Sequence, residues 1–132
     1  MAISREGQMG KLLIAAVVAL SLVGPAWAEE DVHSANFLLP GCRENLQPNP
    51  NNTDRVVIWK RGLCSGIITG LALDAGVSKK MFNQAVFCPP QKATNEQFIR
   101  VVVAYIDKHP EMMHQPFESL ALFALMEAWP CQ

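Results

Sequence analysis

Between residues 62 and 73 the chain reads GLCSGIITGLAL, a stretch without a charge in which Gly62, Gly66 and Gly70 recur at a strict four-residue spacing. Wound as a helix, it has a bulky side (Leu63, Cys64, Ile67, Ile68, Leu71) and a small side (Gly62, Ser65, Gly66, Thr69, Gly70), but no polar one. Each glycine costs a helix interior roughly 1 kcal/mol relative to alanine. The pattern therefore predicts a central, buried helix whose small side admits a second backbone, and that contact offsets the cost. In lipid the same spacing would favour helix pairing. Lys60, Arg61 and Asp74 flank the segment closely, which favours a protein core.

The other segments are expected to pack around this helix. Ser34 can cap a short helix anchored by Phe37 and Leu38, with Pro40 and Gly41 disturbing its regularity. Residues 47–53, QPNPNNT, are a loop by composition. Thr53 can cap the central helix, with Asp54 helping in its first turn. The tetrapeptide AGVS predicts a break at Gly76, and Ser78 then caps a short amphipathic piece over 79–86 that stops at FCPP. Thr94 and Gln97 form a capping-box pattern, followed by a helix with Phe98, Val101, Val102, Tyr105 and Ile106 on one face. Residues 108–115 are a loop, and Pro116 sits at a favoured first helical position. The last helix carries two apolar stripes: Phe117, Ala121, Ala124 and Ala128 on one side, and Leu122, Phe123, Met126 and Trp129 on the other. The alanines Ala121, Ala124 and Ala128 are expected to seat on Gly62, Gly66 and Gly70, leaving the second stripe for the core or for a dimer contact. With no hairpin signal, alternating strand or repeat, the fold class is all-α: a small disulfide-stapled bundle of four or five helices.

Residues 1–28 read as a secretory signal peptide: Arg5 and Lys11, then LLIAAVVALSLVG, then the small residues of AWA with cleavage after Ala28. The apolar run is shorter than the roughly 20 residues of a membrane span. Residues 29–132 are then a single exported, periplasmic domain with no membrane segment after cleavage. A domain of roughly a hundred residues buries only about two-thirds of its unfolded surface, so crosslinks are valuable to it. All four cysteines lie in this part, and an even count in an exported chain predicts two disulfides. Cys64 with Cys88 would close a loop of about 25 residues, for roughly 3 kcal/mol. That leaves Cys42 with Cys131 to tie the ends of the domain together. The competing pairing, Cys42–Cys64 with Cys88–Cys131, stays open.

The chemistry points to binding. The net charge is −1 and the basic residues are scattered, so no nucleic-acid footprint is seen. No CxxC, HxxxH or CxxCH spacing occurs, so neither a metal nor a cofactor is expected. Paired cysteines leave no thiolate for Cys/His catalysis. Glu118 and Glu127 fall on opposite faces of the last helix, and the glycines lie within a helix rather than before one, as a phosphate loop would need. The chain is not expected to be an enzyme. Its best partner-binding segment is the 108–115 loop, which combines His109, Glu111, Met112, Met113 and His114, since methionines adapt well to partner surfaces. The competing reading folds one or both methionines under the last helix. The 47–53 loop is the second choice.

Taken in order from Ser34 to Cys131, the segments SANFLLPGC, GLCSGIITG, FCPP, VVVAYIDKHPE and ALFALMEAWPC resemble the Rap/Tai immunity proteins of type VI secretion. The resemblance spans nearly all of residues 29–132. It implies a small, exported, mostly helical protein that binds and blocks a peptidoglycan amidase delivered by a neighbouring or sister cell. Blockade would be steric, without turnover, by a possible homodimer. The family pattern consists of packing and disulfide residues, and no inhibitory residue carries over from it. An alternative from another class is a small periplasmic disulfide-bonded stress chaperone whose apolar stripes are released by acid. Three histidines make a weak switch for that role. A structural envelope protein is a third reading.

Overall fold

The computed structural model describes residues 31–132, and its first helix begins where a serine can cap it. The signal-peptide reading of residues 1–28 lies outside the described residues. Helix α1 spans Ala35–Leu46, with the Phe37 N–H donating to Ser34 Oγ at 3.3 Å. Pro40 lies inside α1 on its exposed side without interrupting it. Helix α2 spans Arg55–Phe82; its cap is Asp54 rather than Thr53, the carboxylate accepting from the Val56 N–H at 2.8 Å. Helix α3, Asn95–Lys108, opens with both bonds of the Thr94–Gln97 capping box. A 3-10 turn, Pro110–Met112, leads to helix α4, Phe117–Ala128, which Pro116 precedes rather than opens. Among the described residues there are thus four α-helices and no strand beyond an isolated bridge between Ser34 and Pro116. With two disulfides, this is the expected all-α stapled bundle.

Helix α2 departs from expectation at Gly76, which does not break it. The helix runs on for 28 residues in all, about 42 Å at 1.5 Å per residue. It ends at Asn83, whose left-handed backbone (φ 53°, ψ 27°) turns its own N–H onto the Lys79 carbonyl and that of Gln84 onto Ser78. Asparagine is one of the few residues that adopts this conformation readily. Lys79 and Lys80 in the last turn further favour the helix C-terminus.

The second correction concerns the glycines. In α2 only Cys64, Ile68 and Ala75 are buried. A Cβ built on Gly62, Gly66 or Gly70 would meet nothing within 4 Å, so these glycines face outward and, among the described residues, admit no other part of the chain. The close approach is made by Gly41 of α1. A Cβ there would lie 2.4 Å from the Lys60 carbonyl carbon, so α1 lies backbone to backbone on the first half of α2. Phe37 stands edge-on to Trp59 at 5.6 Å, and the Lys60 ammonium sits 3.7 Å above the Phe37 ring. The Asn45 side-chain amide donates to the Arg61 carbonyl at 2.9 Å.

The alanine stripe does not seat on the glycine side. Ala121 and Ala124 are buried, but Ala128 is exposed, and α4 packs mainly against α3. Of the opposite stripe, Leu122 and Trp129 are half-buried, whereas Phe123 and Met126 are exposed. Phe98 of α3 joins the layers, standing edge-on to Trp129 at 4.9 Å and to Phe87 at 6.5 Å.

The disulfides are Cys42–Cys64 and Cys88–Cys131, correcting the preference for Cys64–Cys88 and Cys42–Cys131. The reason is the backbone contact at Gly41. Once α1 folds back on α2, Cys42 and Cys64 face each other, their Cα atoms 5.4 Å apart. The segment 83–94 buries Phe87 and brings Cys88 to the chain beyond α4. There the Cys88 N–H donates to the Trp129 carbonyl at 2.8 Å. By length and composition alone α2 passes for a membrane span, and its first half is crosslinked to α1.

Candidate functional site

Residues 108–115 are held by the start of α1. The first N–H groups of a helix have no acceptor within it. Here the Ala35 N–H donates to the Gln115 carbonyl at 3.0 Å and the Asn36 N–H to the Met113 carbonyl at 2.8 Å. The Phe117 N–H in turn donates to the His33 carbonyl at 2.7 Å. Within the loop, the Met112 N–H reaches the His109 carbonyl at 3.0 Å and the Gln115 N–H the Met112 carbonyl at 2.8 Å. Four of these bonds have a residue of the segment as donor or acceptor, and they make it a fixed turn rather than a pliable one.

That turn presents a different set of side chains from the one its sequence suggests. Met112 and Met113 are half-buried and packed against the core. His109 stacks at a tilt on Tyr105, ring centroids 4.7 Å apart, with Nδ1 3.2 Å from Glu111 Oε1. The Glu111 carboxyl is held below its usual range, first by its own backbone N–H and then by His109. His114 is exposed beside Gln115. The turn thus offers an imidazole–carboxylate pair and a second imidazole on a fixed backbone, a hydrogen-bonding surface. Both cysteine pairs are oxidised. No cluster of three His, Cys, Asp or Glu side chains occurs among the described residues.

The 47–53 loop is also tied down. Glu44 accepts from the Asn49 N–H at 3.0 Å and from the Asn52 amide at 3.3 Å. These bonds, in that order, and the Arg61 charge hold its carboxyl below the usual range.

Two surfaces were not foreseen as exposed or concave. One is the outward side of α2, where Val56, Trp59, Val77 and Met81 are exposed alongside the open glycines. The other is a groove of about 670 Å³ between the second half of α2 and the 87–98 region, lined by Leu73, floored by Phe87 and Phe98 and reaching Lys79 and Lys80. The clue to the first was the uncharged run itself. Periodicity gives the relative positions of residues on a helix but not which side faces the core, so the clue was read inside out.

A model of the family described as Rap1a immunity proteins matches residues 34–131, which is nearly all of the described chain and includes both crosslinks and the fixed turn. No curated protein and no solved structure matches the chain significantly. Immunity proteins act by binding a partner effector protein, and a rigid, crosslinked helical body bearing exposed apolar and hydrogen-bonding surfaces is suited to that work. The chain belongs to the Rap1a immunity protein family.

Proposed function

We propose that the protein is exported by a cleaved signal peptide, residues 1–28, and that in the periplasm residues 29–132 bind and sterically block a peptidoglycan amidase delivered by type VI secretion. The observation that carries this reading is the family match. The two disulfides belong to an oxidising compartment, in keeping with export. The fixed turn at 108–115 is the blocking element. His109, Glu111 and His114 stand on a backbone that loses little freedom on docking, so its hydrogen bonds to an enzyme cleft carry little ordering cost. No bond is made or broken by the protein.

The outward side of α2 supports a homodimer. Gly62, Gly66 and Gly70 leave room for a second helix to approach closely, and Trp59, Val77 and Met81 beside them are apolar side chains that such a partner covers. Sedimentation of the oxidised domain tests this part: a concentration-dependent dimer that Gly66→Leu abolishes supports it, and a monomer at every concentration refutes it.

The function itself is tested by adding the purified domain to type VI amidases acting on peptidoglycan sacculi. Stoichiometric loss of activity for at least one amidase, with protection of cells exporting it, is the expected result. Full amidase activity across the panel overturns the reading. The exposed apolar residues of α2 would also serve a small disulfide-bonded chaperone. Suppression of client aggregation together with reversible apolar-dye binding on acidification would favour that function instead.

A further inference from the structure

The groove along the second half of α2 has the form of a preformed receptor. On the helix side Thr69, Ala72, Leu73 and Gly76 line it, and Phe87 and Phe98 lie beneath. Its far wall is Pro89–Pro90 beside Cys88, which is crosslinked to Cys131. Prolines carry no N–H and have a fixed φ, so Pro89 and Pro90 present no backbone donor that needs an acceptor, and the wall resists collapse. The α3 N-terminus next to it has its cap donors already engaged by the Thr94–Gln97 box. Asn95 is likewise occupied, donating to Ser65 Oγ at 2.9 Å and accepting from Thr69 Oγ1 at 3.0 Å.

What remains uncompensated is charge. Lys79 and Lys80 line the same groove, are exposed, and form no ion pair among the described residues. Beside them the apolar surface of the groove is open: Leu73, which lines it, is 63% exposed. An apolar trough ending in two unpaired cations complements a segment with the opposite plan, a large apolar side chain followed closely by a carboxylate.

We propose that this groove is a docking site for an acidic, apolar-anchored loop of a protein partner, the anchor lying on Leu73, Phe87 and Phe98 and the carboxylate meeting Lys79 and Lys80. The inference rests on the immunity reading for the partner's identity, which would be the effector, at a surface separate from the 108–115 turn. Concavity favours a protein over an anionic membrane. A trough of about 670 Å³ holds a side chain and its neighbours, whereas a bilayer surface has no projection to fill it.

Gly76 supplies a discriminating variant. It lines the groove, and a Cβ on it would meet nothing within 4 Å. Gly76→Leu therefore improves helix propensity while plugging the trough. The neutral double variant K79Q/K80Q removes the charges without placing acids at a helix C-terminus. The oxidised domain is panned against a random twelve-residue displayed peptide library, and selected peptides are titrated into the wild type and both variants. Expected are sequences pairing a large apolar residue with Asp or Glu within about three positions. Their binding falls tenfold or more in each variant, while urea unfolding finds G76L at least as stable as the wild type. Amide shifts should map to Leu73, Phe87, Lys79 and Phe98. No enrichment, selected peptides lacking acids, or equal binding to G76L overturns the site. So does sedimentation with phosphatidylglycerol vesicles that K79Q/K80Q abolishes, in the absence of peptide selection. In the amidase assay, inhibition by the wild type that survives in both variants overturns the groove and leaves immunity standing. Failure of the wild type to inhibit overturns immunity, while the peptide arm still judges the groove.

Discussion

Replacing Gly41 by alanine tests the contact around which the bundle is organised. A Cβ at this position lies 2.4 Å from the Lys60 carbonyl carbon and 2.6 Å from both the Lys60 oxygen and its Cβ. That is about an ångström short of ordinary contact. Two of the three atoms are backbone, so no rotamer change relieves the overlap. Helix α1 must lift from α2, and the crosslink at the very next residue, Cys42, resists that movement. Overpacking of this kind costs about 1–3 kcal/mol, and the restraint at Cys42 puts this case toward the upper end. Alanine's better helix propensity offsets about 1 kcal/mol of it. The net loss is about 1–2 kcal/mol, a fall in Tm of roughly 5–15 °C for a domain of this size. Gly66→Ala is the matched control: with open space at its Cβ, it should gain roughly 0.5–1 kcal/mol from reduced unfolded-state freedom and better propensity. Urea unfolding of the oxidised proteins, followed by circular dichroism at dilutions that keep them monomeric, reads both. The reasoning is refuted if G41A is as stable as the wild type, or if G66A is the less stable of the pair.

Proteolysis without reduction should release one linked peptide pair containing Cys42 and Cys64 and another containing Cys88 and Cys131. From the separations of 22 and 43 residues, removing the first bond by paired serines costs about 3 kcal/mol and the second about 4; equal losses near zero on denaturant unfolding would contradict this. Phe98→Ala removes the ring between Phe87 and Trp129 and should cost about 3–5 kcal/mol, measured by the same unfolding curves. Glu44 has a folded pKa below its unfolded value, so its stabilising effect is complete above the ordinary carboxylate range and fades as pH falls through the lowered value. Stability of Glu44→Gln should therefore depend less on pH across that acid window, and a Glu44 carboxyl that titrates in its ordinary range by NMR would count against the bonds to Asn49 and Asn52.

The contrast between what could and could not be read beforehand follows the range of each interaction. Ser34 and the Thr94–Gln97 pair declare their helix starts because a cap involves residues within one turn. The stop at Asn83 was missed because Gly76 is a weak breaker when the helix gains elsewhere, and because a left-handed asparagine is just as local but less conspicuous than AGVS. The disulfide partners and the inward side of α2 depend on where α1 lands, which is settled by Gly41 meeting Lys60 across 19 positions of chain. One glycine in a short helix carried that information, while three regularly spaced ones drew attention to the wrong side. The 108–115 turn was located correctly by composition, but composition did not settle that its methionines are half-buried against the core, since a loop pinned by α1's free amides has its sides assigned by that docking.

The crosslinks join neighbours in cysteine order, first with second and third with fourth, and the two rings they enclose neither overlap nor nest. An oxidant that couples each newly emerged thiol to its immediate predecessor makes the first bond correctly, and the second as well, because the first has already consumed both earlier thiols. The nested alternative would have required Cys42 to wait, unreacted, until last. By that route maturation needs oxidation but no shuffling of mispaired sulfurs, a step that is otherwise slow, and breaking either ring leaves the other closed.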